Sequence, residues 1–232
     1  MAQIAEDLFL LLLDNASAQP GLDRRRRERV LAAAVLLDLA YACRIRPAMA
    51  DERLPPGVLV ALAGEWPSDP VTDPALRLLQ RRPLPATTAL ARLSRRIQTT
   101  LQLHLQKSGQ IRRVRMPGKG LAARGVYCWP LTSRERVSRA RAALLGALFD
   151  GDSPVPAMAA IICLLHSVDG LGAVLSLNER GWRWVHARAT EISTGSWVDE
   201  CAMSRSEMNL AVTMSVLRPV LMYSPILGRN LA

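Results

Sequence analysis

The sequence predicts a mainly α-helical protein that carries one β-hairpin. Three observations predict it. Ala, Leu and Arg dominate while only 2 Phe and 3 Tyr are present, a composition that favours helix over sheet. Apolar residues recur at helical spacing between clusters of turn formers. Between Pro74 and Arg134 an amphipathic run (Ala89–Lys107) meets a Ser-Gly break (Ser108, Gly109), a basic arm (Gln110–Arg115), a Gly-rich tip (Met116–Gly125) and an apolar return (Val126–Trp129). That order reads as helix, turn, β-hairpin.

From the N-terminus, Ile4–Leu13 reads as a short buried helix closed by Asp14, Asn15 and Pro20-Gly21. Asp23 is the N-cap of a long helix over Arg24–Cys43, with Val30, Leu31, Ala34, Leu37 and Tyr41 on its apolar face. Asp38 sits at the edge of that face and needs a partner if buried. Arg44–Arg46 and Gly57–Ala63 are candidate strands around a loop rich in Pro, Asp and Gly. A short helix, Ala75–Arg82, is stopped by Pro83 and Pro85. Ser133 caps a helix over Arg134–Phe149, ended by Asp150, Gly151 and Pro154. Pro156–Asp169 is almost wholly apolar and belongs at the centre of the core. Leu171–Leu177, an amphipathic helix Glu179–Ile192, a segment Trp197–Met203 and a last helix Arg205–Leu217 follow, with a loose tail after about residue 218. With 232 residues, no internal repeat and no linker, the chain reads as one domain, 1–232, with hairpin at about 110–130.

Charge is distributed unevenly. Pro74–Arg134 holds 13 Lys/Arg and no acid, in a chain of net charge +10 with 20 acids in all, so everything outside that stretch sums to 17 minus 20, or −3. The basic character is local and points to a negatively charged partner. A second cluster, Arg24, Arg25, Arg26, Arg27 and Arg29, opens the long helix, where cations oppose the helix dipole by about 0.3–1 kcal/mol each. It is either a solvated end or a site where a bound anion offsets the penalty.

Catalytic and metal chemistry find little support. Cys43, Cys128, Cys163 and Cys201 are far apart in apolar surroundings and make no metal-ligand spacing, so they read as reduced core residues of a cytosolic protein. His166, Ser167 and Asp169 are triad residue types, but neighbours along a helix do not face one another. His166 therefore reads as a core histidine. Glu6 and Asp7 could pair with Asp38 or Asp169 as acid and base, with nothing to position them. Trp182, Trp184 and Trp197 read as core packing. No Gly-rich phosphate loop, nucleophile elbow or zinc-protease motif occurs. No cofactor is implied. The apolar runs Leu8–Leu13 and Met208–Leu227 are too short or too interrupted to span a membrane.

Six stretches carry a resemblance. They are AEDLFLLLLD (Ala5–Asp14), VLLDLAYACRI (Val35–Ile45), LQKSGQI (Leu105–Ile111), WPLTSRERV (Trp129–Val137), AAIICLLHSVDGL (Ala159–Leu171) and RATEISTGSW (Arg188–Trp197). In this order and spacing the chain resembles the Golgi phosphoprotein family, in its bacterial, actinobacterial branch. The resemblance implies a helical-bundle core ringed by amphipathic helices, with a projecting β-hairpin. It further implies a peripheral membrane protein that binds phosphatidylinositol 4-phosphate and helps retain protein clients. The family's headgroup residues are a Trp and an Arg near the start of the second helix and two arginines three apart on the helix before the hairpin. Their positions fall on Asp23, Ala32, Arg95 and Gln98, so only Arg95 is kept.

The expectation is thus a cytoplasmic, non-enzymatic protein, peripheral at the inner face of the membrane, whose partners are anionic phospholipid headgroups. The headgroup residues are Arg92, Arg95 and Arg96, flanked by Arg24, Arg25 and Arg27. The membrane-facing hairpin residues are Arg112, Arg113, Arg115, Lys119 and Arg124, with Met116 and Leu121 as the large apolar residues at the tip. Two other readings share the charge. Helix plus basic hairpin is also the outline of a winged-helix DNA-binding protein, with Arg95, Arg96, Gln98 and Gln102 as candidate contacts. An adaptor for acidic protein segments is the third.

Overall fold

The computed structural model describes residues 3–64, 67–116, 126–195, 197–198 and 203–223. Lys119, Leu121, Arg124, Cys201, most of Trp197–Met203 and the tail beyond 223 lie outside them.

The core follows from two segments that are apolar all round but for one residue, Asp38. In α2 (Arg24–Tyr41) every residue from Val30 to Ala40 is buried, and in α6 (Pro156–Ser167) so is every residue from Met158 to Leu165. Helices without a polar stripe must be enclosed. α2 is accordingly central, packed against α1 (Gln3–Leu13), α4 (Ala86–Lys107), α6 and α8 (Arg205–Met222). Its Ala32-Ala33-Ala34 run presents only methyl groups to its neighbours, and all three are fully buried. α3 (Asp73–Arg81), α5 (Glu135–Leu145) and α7 (Glu179–Ser193) are amphipathic and lie outside this centre. The mainly α expectation with one β-hairpin is met.

Buried Asp38 has the partner it needs. Its carboxylate accepts the backbone N–H groups of Ile4 (2.9 Å) and Ala5 (3.0 Å), capping the first turn of α1. Burial pushes its pKa up to about 8 against the opposing pull of those two donors. Glu6 and Asp7 do not pair with Asp38 or Asp169. Arg136 of α5 holds both, at 2.5 Å and 2.6 Å, and His104 of α4 lies 3.2 Å from Glu6.

Several boundaries differ from the sequence reading. α2 and α6 stop two residues early, at Tyr41 and Ser167. Cys43 (φ 52°) and Asp169 (φ 50°) turn the chain in the left-handed conformation usual for Gly. The N–H groups of Arg44 and Gly170 then reach back to Leu39 and Leu165 at 2.8 Å and 2.7 Å. α4 begins at Ala86 rather than Ala89, because Pro85 is its N-cap rather than a barrier. α5 ends at Leu145 and continues as a π-turn, Gly146–Asp150. α8 runs through Pro219 to Met222, so the chain is still helical past residue 218, where a loose tail was expected.

The strands are short. β1 (Ile45–Pro47) pairs antiparallel with β2 (Val58–Ala61), which pairs with β3 (Leu84–Pro85), a strand the sequence did not signal. The hairpin ladder is β4 (Val114–Met116) with β5 (Val126–Cys128), and an isolated bridge joins Ile111 to Leu131 below it. Trp184 is not core: it is 62% exposed, and its indole N–H donates to the Leu148 carbonyl.

Candidate functional site: a basic helix face and hairpin

α4 turns Ala89, Leu90, Ile97, Leu101 and Leu105 inward. That phase leaves Arg92, Arg95 and Arg96 exposed, three and four residues apart on the outer face. None of the three side chains has a hydrogen bond or ion pair among the described residues. Between Pro74 and Arg134 the sequence has no acid, so the segment that carries them holds no charge of opposite sign. Thr87, Thr88, Ala91, Arg92 and Arg95 line an open depression of about 490 Å³ on this face. Short side chains and two arginines line it together. The N-terminus of α4, at the Thr87 end, has no side-chain cap, so the positive end of the helix dipole adds to the same field. Planar guanidinium forks beside hydroxyls suit a tetrahedral oxyanion. Thr87 and Thr88 escaped the sequence reading because the helix was expected to start after them.

The α2 cluster divides. Asp23 caps the helix, accepting from the N–H groups of Arg25 and Arg26, and its carboxylate pairs with Arg26 at 2.9 Å. Arg24 pairs with Glu28 at 2.7 Å. These carboxylates offset part of the cost of an arginine-rich first turn. Arg27 turns inward: its Nε donates to the Gln98 side chain (2.9 Å) and its Nη1 to the carbonyls of Pro20 (3.0 Å) and Leu22 (2.7 Å). Burial lowers its pKa. Arg27 therefore ties the α1–α2 loop to α4 and has few donors left for a ligand. Arg25 is exposed, with no side-chain partner among the described residues.

The positions the resemblance singles out take different roles here. Ala32 is fully buried and lines no surface. Gln98 bonds Arg27, so a guanidinium still stands one turn from Arg95, supplied by α2 instead of α4.

The hairpin base is fixed to the α1–α2 loop by the Gln19 side-chain amide donating to the Tyr127 carbonyl and by the Trp129 N–H donating to Ala18 (2.8 Å). Arg113 lies 3.6 Å over the Tyr127 ring and 5.9 Å from that of Trp129, a cation–π arrangement. Arg112 and Arg115 are exposed. Met116 and Tyr127 are the large apolar residues exposed on the described part of the hairpin. The structure brings Arg92, Arg95 and Arg96 onto one face, and separates Arg24 and Arg27 into other tasks.

Other chemistry is not assembled at the residues considered for it. His166 stands half-buried beside His186, ring centroids 5.7 Å apart, and burial lowers its pKa. Cys43, Cys128 and Cys163 are free thiols. Among the described residues no cluster of His, Cys, Asp and Glu could hold a metal ion, and no helix is long and apolar enough to cross a membrane.

A family model described as Golgi phosphoprotein 3 (GPP34) matches residues 4–204. No curated protein matches the sequence.

Proposed function

The chain belongs to the Golgi phosphoprotein 3 (GPP34) family, and from that premise we propose a non-enzymatic, peripheral membrane protein that binds anionic phospholipid headgroups through the outer face of α4 and the hairpin. It works at the cytoplasmic face of the membrane, as one domain. The observation that carries the reading is the set of exposed arginines Arg92, Arg95 and Arg96, whose side chains are unpaired among the described residues, with Arg92 and Arg95 lining a depression together with Thr87, Thr88 and Ala91. A phosphate group there takes guanidinium donors from Arg92 and Arg95 and a hydroxyl from either threonine. Arg112 and Arg115 add charge from the hairpin, and Met116 and Tyr127 add apolar contact at the interface.

Each basic residue at an anionic membrane surface contributes about 1 kcal/mol. Five (Arg92, Arg95, Arg96, Arg112 and Arg115) give roughly 5 kcal/mol, which suits reversible binding that salt weakens. Co-sedimentation with anionic and with neutral vesicles, at low and high salt, tests it. Binding to anionic vesicles alone, reduced by salt, is expected. Equal binding to neutral vesicles, or none to either, refutes it. Duplex DNA that displaces the protein from vesicles at matched phosphate concentration would favour the nucleic-acid reading instead.

A further inference from the structure

α8 is mostly apolar on both sides. Leu210, Thr213, Met214, Leu217 and Leu221 are buried. On the opposite side Met208, Val212, Ser215, Pro219 and Met222 follow one another at alternating steps of four and three residues, which aligns them in one outward stripe. Met208, Val212 and Met222 are 54%, 48% and 52% exposed, and Tyr223 just beyond them is 86% exposed. No Asp or Glu follows Glu207. A helix apolar on both sides is normally enclosed, and the fold covers only one side of this one.

The C-terminal half of α8 stands beside the surface assigned to headgroups. Arg29 of α2 donates to the Val220 carbonyl. Two residues earlier, Arg27 donates to Gln98 of α4 and to the carbonyls of the α1–α2 loop. That loop also holds the hairpin base, through Ala18 and Gln19. One turn before Val220, Val216 lies against Gly57, 3.8 Å from where a Cβ would stand. The Gly57 carbonyl accepts the N–H of Ala86 (3.0 Å), the first residue of α4. The end of α8 is thus tied to the start of α2, and its preceding turn to the Thr87 end of α4.

We propose that the outer stripe of α8, from Val212 to Tyr223, is a second membrane contact, lying in the interfacial layer of an anionic bilayer while α4 holds headgroups. The proposal rests on the headgroup reading of α4. Apolar side chains ending in a Tyr, next to a basic surface, are the pattern of a helix that lies in the bilayer interface. Charge argues against a second copy of the chain as the cover. Two chains meeting along α8 would bring two basic α4 faces towards each other, whereas an anionic surface complements them.

Depth quenching and co-sedimentation test it. A fluorophore attached at Tyr223→Cys is compared with one at Val155→Cys, with the unsubstituted chain as blank. Val155 is 62% exposed and precedes α6, whose other end is the one Arg26 reaches, about 18 Å away along the helix. On anionic vesicles, nitroxides in the acyl chains should quench residue 223 and leave residue 155 bright. Met222→Ser combined with Tyr223→Ser should lower affinity for anionic vesicles about tenfold. Its salt dependence should match the wild type, since no charge is removed. Val155→Ser should bind as the wild type does. Wild-type binding without acyl-chain quenching at 223, equal quenching at both positions, or wild-type affinity in the double variant overturns the proposal and leaves the headgroup reading standing. No binding of the wild type to anionic vesicles overturns both. A dimer in sedimentation that the double variant breaks, with residue 223 unquenched on vesicles, assigns the stripe to a second copy instead. If the double variant proves unstable in a thermal melt, the quenching at 223 decides.

Discussion

Replacing Arg92, Arg95 and Arg96 together by Gln removes three of the five exposed charges assigned to the membrane-facing surface. At about 1 kcal/mol each the loss is about 3 kcal/mol, or roughly a hundredfold in vesicle affinity. The fold should not suffer. The three side chains are exposed and make no hydrogen bond or ion pair among the described residues, and surface changes of this kind stay within about 0.5 kcal/mol each. Co-sedimentation with anionic vesicles at fixed ionic strength reads the affinity, and a urea melt reads the stability. The control is an equal change in net charge elsewhere: Arg139, Arg180 and Arg183, exposed on α5 and α7, replaced by Gln. The α4 variant should lose affinity and the control should keep most of it. Equal losses would show that total charge, not this face, drives binding.

Other consequences concern the scaffold. Asp38 holds its proton in the folded state up to about pH 8 and in the unfolded chain only to about pH 4. Between these values the folded state binds the extra proton, so stability is greatest below the lower value and falls as pH rises. The slope reaches at most about 1.4 kcal/mol per pH unit. Chemical denaturation from pH 5 to 8 should show that fall in the wild type and a flatter profile in Asp38→Asn; parallel profiles would contradict it. Arg136→Met leaves buried Glu6 and its neighbour Asp7 without their cation and should cost about 3–5 kcal/mol, seen as a lower denaturation midpoint. Arg27→Met strips donors from Gln98 and the loop carbonyls and should cost about 1–3 kcal/mol. Vesicle binding at a temperature where the variant is folded should fall far less than in the α4 variant.

Helix identity was readable wherever apolar periodicity was strong, as in α2 and α6. Helix ends were not, where the ending residue was chemically ordinary. Cys43 and Asp169 occupy positions where Gly is the usual signal, so nothing in the sequence marked either stop. Pro85 and Pro219 misled in the other direction: proline is tolerated as an N-cap, and α8 accommodates one within its last two turns. β3 is only two residues long and contains Pro85, leaving no alternation to detect. The basic face was legible because charge patterning needs no coordinates, and the period of α4 sorted Arg92, Arg95 and Arg96 outward. The fate of Arg27 was not, since its partners Gln98 and the carbonyls of Pro20 and Leu22 are set by tertiary packing. A cleft lined by Ser193, Trp197 and Arg218 was equally invisible, because these residues come together only once α7 and α8 are both packed on α6.

The most direct measurement of the central claim is proximity. A fluorescent label attached at Arg96→Cys or Arg112→Cys, compared with one at Arg183→Cys on α7, reports which face meets anionic vesicles carrying a surface quencher. Strong quenching at residues 96 and 112, reversed by high salt, and little at 183 is expected. Quenching confined to residue 183, or equal at all three positions, would contradict it.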